Sequence, residues 1–483
     1  MAMAQLAAKS FDLVSMVVVA RVLTPAEFGL VALAASVLLV ANSVTELPIM
    51  DVLVRKSELL KADFDAAFTL NALRGALISA VLFAISYPVA LLMKDTRIAL
   101  IIQVLSIAPV VQGLGSPMMA KHMKQLNYLP MAQAQLMGKL IAFIGVILLV
   151  WCTRSYWALV AGLVASPVIT AVFTHINAPY RPKLSLSGVR DILKFAGWVT
   201  ASRIVFTLNQ HTDRFFVGAI LGKASLGHYA MGSDIASTAT YTIANPVMQP
   251  LFAGMALVRD DQARLTRAYL KGQQIMVTMI APIGCGLAVL APPLVELVLG
   301  REWSPVAVVI QWLAPVIAMQ MLSVPVQSLA MAMGQPRLLV WREAGSMLLR
   351  LPVTLIAAWQ FGLTGAAVAR GVSGLVIVFM NLTIAQTALG VSVVKQFKNC
   401  HRSLISVSIM SALVGLISNS IIPIGEGVIW KLSTLAISVL CGAIIYFSAL
   451  FLIWRLEGEG DSAELWLIER CQSVANKVIY SRL

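Results

Sequence analysis

Residues 217–230 read VGAILGKASLGHYA, and residues 19–32 read VARVLTPAEFGLVA. Aligned without a gap at an offset of 198, the two stretches share Val19/Val217, Leu23/Leu221, Ala26/Ala224, Gly29/Gly227 and Ala32/Ala230. Two further matches follow in the same order, 87–93 with 292–298 and 158–169 with 366–377, at offsets of 205 and 208. Each match alone is weak because Val and Ala coincide easily in apolar sequence. Three in order, each about 200 residues apart, predict an internal repeat.

The composition indicates a polytopic membrane protein. The chain has 483 residues, of which 59% are hydrophobic and 12% charged, and its mean hydropathy is +0.85. A soluble protein of this size could not solvate such a surface. The excess of 36 Lys and Arg over 22 Asp and Glu is therefore assigned to basic cytoplasmic loops and not to nucleic-acid binding. The five Cys are scattered without a CxxC pair, which predicts neither a disulfide framework nor a metal site.

The hydrophobic pattern predicts an all-α fold of about 14 transmembrane helices. A span needs about 20 mostly apolar residues. The first begins almost at Met1 without a basic leader, which favours a permanent helix over a cleaved signal peptide. The predicted spans are 4–23, 29–47, 66–92, 98–119, 129–151, 157–176, 195–221, 226–254, 273–299, 305–333, 339–360, 362–389, 403–423 and 432–454.

The distribution of Lys and Arg orients these spans. With both termini in the cytoplasm, cytoplasmic loops and the tail hold 22 basic residues and the opposite side holds 7, while the other seven lie inside spans. A miscounted helix would have scrambled this alternation. The outer loops are all short, so an outer catalytic domain is not expected. We therefore predict a multi-pass protein of the bacterial cytoplasmic membrane that is a transporter and not an enzyme.

The repeat divides the chain into two lobes. Six helices per copy is an even number, so both copies keep one orientation and are related by a pseudo-two-fold axis along the membrane normal. The seventh helix, which contains FTLNQHTDRFFVGAILG at 206–222, is then the counterpart of the first and is expected to line a cleft between the lobes. The predicted parts are an N-terminal lobe at 1–177, a connector at 178–194, a C-terminal lobe at 195–390, two additional helices at 391–455 and a cytoplasmic tail at 456–483.

The chain resembles a known transporter family over roughly residues 5–390. The resemblance rests on ARVLTPAEFGLVALA, DVLVRKSELLKADFDAAFTLN, DRFFVGAILGKASLGHYAMGSD, NPVMQPLFAGMALVRDDQARLTRAYLKG and APPLVELVLGREWSP. These stretches resemble the polysaccharide-transporter family of the MOP exporter superfamily, that is, Wzx-like flippases of the colanic-acid and succinoglycan exporter type. The resemblance implies alternating access, a lipid-linked oligosaccharide as substrate and contact with membrane lipid. A polysaccharide polymerase and export machinery are candidate partners.

Basic residues inside the spans are the candidate substrate-binding residues. Ionisable residues within spans are costly and mark functional sites by default. Five bases lie on five helices in the cytoplasmic half, without a matching set of acids, which suits an anionic ligand such as a lipid pyrophosphate-linked sugar. The alternative for Arg74 and Arg203 is snorkelling of the long side chain toward the helix end. The predicted basic cavity consists of Lys9, Arg74, Lys139, Arg203 and Arg350.

Carboxylates inside the spans are the candidates for gating or ion coupling. These are Asp12, Asp213 and Asp234. The alternative for Asp213 is a hydrogen bond between lobes, and Asn209 and Gln210 could bind sugar hydroxyls or join helices. We find no P-loop or catalytic motif, so no cofactor or metal is predicted, and export is expected to draw on an ion gradient or the membrane potential.

Three rival functions fit the sequence less well than the flippase. A cation-coupled multidrug exporter of the same superfamily would favour carboxylates over bases in its cavity. A major-facilitator carrier would carry a glycine-and-acid loop pattern, which DVLVRKSELLKAD lacks. A membrane-bound glycan polymerase or ligase would need larger outer loops.

Overall fold

In the computed structural model of the protein, the described residues are 2–44, 49–50, 53, 59–125, 127–185, 189–421 and 427–457. Within these ranges the secondary structure is helical, without a strand, so the all-α prediction is confirmed. Nine helices among the described residues are long and apolar enough to cross a membrane. The predicted tail at 456–483 lies outside the described residues, apart from its first two positions.

Eight helices build the first third of the chain. Pro109 lies one turn after the break between α4 and α5. It has no N–H to donate to the Leu105 carbonyl, which accounts for the interruption of the predicted fourth span at Ser106. The helices are α1 Ala2–Ala20, α2 Pro25–Val44, α3 Lys61–Leu92, α4 Arg97–Leu105, α5 Ile107–Gly113, α6 Met119–Lys124, α7 Leu129–Thr153 and α8 Trp157–Asn177.

Nine further helices and one 3₁₀ turn, Arg301–Trp303, follow. Pro325 begins α13 and interrupts the tenth predicted span in the same way as Pro109 interrupts the fourth. The helices are α9 Val189–Leu257, α10 Gln262–Val289, α11 Ala291–Val298, α12 Pro305–Gln320, α13 Pro325–Ala332, α14 Pro336–Leu389, α15 Val393–Asn399, α16 His401–Ile421 and α17 Val428–Leu456.

The two longest helices each break at a glycine. Gly222 in α9 has φ 81° and ψ 177°, and Gly362 in α14 has φ 62° and ψ −144°. Residues with a Cβ rarely adopt such positive φ values, so glycine allows the chain to reverse there. The breaks divide α9 into arms 189–221 and 223–257, and α14 into arms 336–361 and 363–389. Both fall where the sequence predicts that one span ends and the next begins.

The helices group into two compact units. The first unit comprises Met1–Met231 and Leu339–Ala366, and the second comprises Gly232–Leu338 and Ala367–Leu483. This grouping follows packing and not chain order. The two six-helix lobes and their boundaries stay a prediction.

Each unit has its own apolar core. In the first unit, α2, α3 and α4 pack around a set of buried residues that includes Leu30, Leu33, Leu82, Ile98 and Ile102. In the second unit, α16 and α17 pack on α10, where Val277, Val407 and Met410 are buried together. Tyr446 of α17 donates to the Thr278 carbonyl at 2.8 Å, so the two C-terminal helices are fixed to α10 by polar as well as apolar contacts.

Repeat-related glycines contact each other in the first unit. A Cβ added to Gly29 would lie 2.1 Å from the Lys223 carbonyl oxygen, and one added to Gly227 would lie 1.9 Å from the Pro25 carbonyl oxygen. At the repeat offset of 198, Pro25 corresponds to Lys223 and Gly29 to Gly227. The contact is therefore reciprocal, as at an interface that is related to itself by a two-fold axis.

The start of the connector lies along the first unit. Tyr180 donates its hydroxyl to Asp65 at the beginning of α3, and the backbone N–H of Ser185 donates to Thr69 at 2.9 Å. Burial, reinforced by the hydrogen bond to Asp65, raises the pKa of the Tyr180 hydroxyl, so that this group stays protonated as the donor. Residues 178–185 are thus attached to α3 by side chains.

Candidate functional site

The polar run at 209–214 lies in the first arm of α9 and is largely buried. Asn209, Asp213 and Arg214 are buried, and Asp213 is 1% exposed. Burying such groups is costly unless each finds a hydrogen-bond partner. Their partners therefore define the candidate site.

The Asn209 side chain joins α9 to the first arm of α14. Its amide nitrogen donates to Glu343 Oε2 and to Ser346 Oγ, both at 2.7 Å. Ser346 in turn donates to the Glu343 carbonyl at 2.8 Å. An amide nitrogen carries two N–H groups, so both are used.

Two arginines complete this group of side chains. Arg342 forms an ion pair with Glu343. Arg350, which is 3% exposed, donates Nη1 to the Asn209 carbonyl at 2.7 Å. Glu343, Ser346 and Arg350 have the i, i+3, i+7 spacing of a single helix face, and that face is directed at α9. We call Asn209, Arg342, Glu343, Ser346 and Arg350 the α9–α14 polar cluster.

The electrostatics of this cluster make it sensitive to substitution. One charged residue at the centre of a span costs about 2.5–3.5 kcal/mol on insertion scales. Breaking a buried pair costs about 3–5 kcal/mol because the remaining charge is left without a partner. Glu343 is held by donors from both helices, so we expect substitutions in the cluster to weaken the packing of α14 on α9.

Asp213 connects the two arms of α9. Its carboxylate accepts from the Tyr229 hydroxyl at 2.6 Å and from the backbone N–H of Arg214 at 3.0 Å. Tyr229 lies on the second arm, beyond the Gly222 break. The gating or coupling role predicted for Asp213 is not tested by this geometry and stays a prediction.

Lys139 of α7 pairs with Asp12 of α1. The Nζ–Oδ1 distance is 2.7 Å, and the two side chains are 40% and 41% exposed. The Phe11 and Phe143 rings stack beside the pair, with centroids 5.4 Å apart. The expectation that the intramembrane bases lack acidic partners is therefore wrong for Lys139. Lys9, one turn before Asp12, is exposed.

The other predicted site residues lie elsewhere. Arg74 of α3 donates Nη2 to the Asn42 carbonyl of α2 at 3.1 Å. Asp234 is half-buried on the second arm of α9 and belongs to the second unit. The Arg203 side chain lies outside the part of the chain whose side chains are described. The structure thus brings together Asp12 with Lys139, and Arg350 with α9, whereas Arg74 contacts α2.

Sequence reasoning missed Glu343, Ser346 and the pairing role of Arg342. Arg342 lies inside α14 and pairs with Glu343. The available signal was the spacing of Glu343, Ser346 and Arg350 in REAGSMLLR, which places three polar side chains on one face of an apolar helix.

Comparison with known proteins identifies the family. A family model described as "Polysaccharide biosynthesis protein" matches residues 18–308, which is more than half of the chain. The chain belongs to this family. The match includes both copies of the repeat-related glycine segment and all of α9, and it ends before α14.

Relatives and solved structures agree with this assignment. The chain is 25% identical to the lipopolysaccharide biosynthesis protein WzxC of Escherichia coli (strain K12) over 73% of each chain. Its fold is similar to that of the lipid II flippase MurJ in an inward closed conformation, with a TM-score of 0.72 and 14% identity over 94% of this chain and 98% of that one. An inward-facing multidrug resistance MATE transporter of the MOP superfamily gives a TM-score of 0.62 and 11% identity, over 80% of this chain and 98% of that one. The predicted resemblance to Wzx-like proteins of polysaccharide biosynthesis is confirmed, and the fold is similar to that of a solved MOP-superfamily transporter.

Proposed function

We propose that this protein is a flippase that moves an undecaprenyl pyrophosphate-linked oligosaccharide repeat unit from the inner to the outer leaflet of the bacterial cytoplasmic membrane. The unit would then be used for exopolysaccharide or O-antigen-type polysaccharide. The observation that carries the proposal is the family match over more than half of the chain. The fold similarity to a lipid II flippase over 94% of the chain supports it.

The charges of the first unit fit an anionic cargo. Arg74 and Arg350 each donate to a backbone carbonyl, which orients the guanidinium. A guanidinium offers five N–H donors in a planar fork that matches phosphate oxygens. In this proposal Arg74, Arg203, Arg350 and Lys9 attract the pyrophosphate as it enters from the cytoplasm, and Lys139 joins them when Asp12 releases it.

The Asp12–Lys139 pair gives a route for coupling to an ion gradient. A proton or cation that reached the half-exposed Asp12 carboxylate would weaken its hold on Lys139, whose ammonium would then be available to the substrate. Asp213 and Asp234 are further candidates for gating during alternating access of the two lobes. We assign no catalytic step to the chain, and a polysaccharide polymerase is the proposed next partner.

Depletion of the protein tests the proposed function directly. In a strain whose polymer export relies on this chain alone, shutting off its expression should cause the lipid-linked unit to accumulate in the inner leaflet and polymer to disappear. The measurement is the fraction of the unit that an impermeant sugar-modifying reagent reaches in spheroplasts. An unchanged fraction, with polymer still exported, would contradict the flippase.

The proposed orientation places both termini in the cytoplasm. Reporter fusions after Lys271 and after Arg301, which flank the predicted span 273–299, are expected to report opposite sides of the membrane. Activity of a periplasm-dependent reporter at Arg301 and of a cytoplasm-dependent reporter at Lys271 is the expected pair of results. Two fusions that report the same side would contradict the topology.

The second candidate function is a cation-coupled multidrug exporter. The MATE fold similarity and the Asp12 carboxylate in α1 favour it. In that case, expression of the protein should lower the accumulation of cationic drugs while the lipid-linked unit stays where it is. The depletion experiment therefore separates the two functions.

A further inference from the structure

Three chain reversals meet at one end of the first unit. They are the turn between α1 and α2, the turn at 93–96 between α3 and α4, and the break at Gly222 between the arms of α9. The proposed topology puts this end on the outer side of the membrane. Two independent observations, a backbone contact and an ion pair, both involve Lys223, the residue after the break.

The backbone contact is the glycine seat, which consists of Pro25, Gly29, Lys223 and Gly227. The carbonyl oxygens of Pro25 and Lys223 occupy the space where the Cβ atoms of Gly227 and Gly29 would lie. Such close approach is possible only between glycines. The contact joins corresponding residues of the two repeats within the first unit.

The ion pair lies beside this seat. Asp95 binds Lys223, which is 128 residues away in sequence, and also binds Arg97 of its own turn. The Asp95 side chain is 7% exposed, and that of Lys223 is 34% exposed. Arg97 moves with Asp95 because both belong to one turn, so Lys223 provides the connection between different segments.

The pairing keeps Asp95 ionised. Hydrogen bonds from Arg97, with a further contribution from Lys223, hold the pKa of the Asp95 carboxyl well below its usual range although burial acts in the opposite direction. The carboxylate therefore stays charged over the pH range of bacterial growth, and protonation does not release Lys223. Lys223 is 34% exposed, so water can solvate its ammonium when movement of the attached segments breaks the pair, while Asp95 keeps Arg97 as a partner.

We propose that Asp95 and Lys223 form a releasable outer latch, with Arg97 holding Asp95 in position, and that each transport cycle parts the latch and separates the glycine seat. This inference rests on the proposed function, since it assigns the latch to the exit of the lipid-linked unit. It also predicts that Asp95 and Lys223 cannot remain tethered while export continues.

Reversible cross-linking tests the latch. In a background without the five native cysteines, Asp95→Cys and Lys223→Cys are joined by a short bifunctional methanethiosulfonate reagent, which dithiothreitol removes. Cross-linked cells should lose at least tenfold in export of the lipid-linked unit and regain it after reduction. The matched control is the pair Trp151→Cys and Arg154→Cys at the exposed C-terminal end of α7, where cross-linking within one segment should leave export unchanged.

The outcomes separate the two proposals. If cells with the wild-type protein move no lipid-linked unit, the proposed function fails. If they move it, and the cross-linked Asp95/Lys223 protein exports at the untreated rate, the latch is overturned.

Labelling covers the case in which the double cysteine variant is inactive before treatment. The single variant Lys223→Cys should then react several-fold faster with an impermeant maleimide in cells that make the lipid-linked unit than in cells that do not. Equal rates would overturn the latch.

Discussion

Replacing Arg350 with alanine is expected to reduce export of the lipid-linked unit at least tenfold per molecule of inserted protein. Arg350 is buried in the α9–α14 polar cluster and donates to the Asn209 carbonyl. In the proposed function its guanidinium also binds a phosphate oxygen of the substrate. A hydrogen bond that involves a charged group contributes about 1.5–3 kcal/mol, and 1.4 kcal/mol is a factor of ten in affinity. The measurement is the reagent-accessible fraction of the unit, divided by the amount of protein in the membrane.

The lysine variant distinguishes binding from packing. Arg350→Lys keeps the charge but loses the planar fork, so it should restore export only in part if the guanidinium binds phosphate. A purely structural arginine gives another pattern, in which alanine lowers the protein level and export per molecule stays normal. Arg264→Ala, an exposed substitution near the start of α10, is the control and should change neither quantity.

The same series tests the other bases. Arg74→Ala is expected to reduce export as Arg350→Ala does, and Lys139→Ala is expected to act together with Asp12. Because Lys139 and Asp12 pair, the double variant Asp12→Asn/Lys139→Ala should lose less export activity than the two single variants would lose in sum, on a free-energy scale. Normal export by all the alanine variants would contradict a basic cavity that binds an anionic substrate.

Local sequence signals predicted much of the fold. Hydrophobic runs about 20 residues long predicted the spans, and Gly222 and Gly362 lie where two pairs of spans join, because the backbone reversal needs a glycine there. The repeat offset of 198 predicted which glycines correspond. It could not predict that Gly29 and Gly227 contact each other, since that depends on the packing of two helices about 200 residues apart.

The site was less predictable because its contacts are long-range. Asp12 and Lys139 were both chosen as intramembrane charges, but their pairing joins residues 127 positions apart. Asn209 was noted as either sugar-binding or helix-joining, and its partner Glu343 is 134 positions away. A sequence shows that a charge is costly inside a span, whereas only the packing shows which neighbour compensates for it.

The second large effect is expected from Gly29→Ala. Its methyl group would lie 2.1 Å from the Lys223 carbonyl oxygen, and the nearest atoms belong to backbone that cannot rotate away. Overpacking typically costs about 1–3 kcal/mol, and we expect the upper end here, with a lower melting temperature in detergent and a loss of export.

Gly145→Ala is the matched control. No neighbouring atom lies within 4 Å of its added Cβ, and alanine favours the helix by about 1 kcal/mol.

The double variant Gly29→Ala/Gly227→Ala tests whether both glycines belong to one packing surface, the glycine seat. If they do, the first methyl group already moves the α2 backbone away from the residues after Gly222. The second methyl group then meets less steric hindrance. The loss of unfolding free energy in the double variant should then be smaller than the sum of the two single losses. The difference should exceed about 0.3–0.5 kcal/mol, which is the deviation from additivity expected for independent sites. If the two losses of unfolding free energy are additive, the two glycine contacts are independent of each other. The reciprocal packing of the two repeats would then not form a single surface.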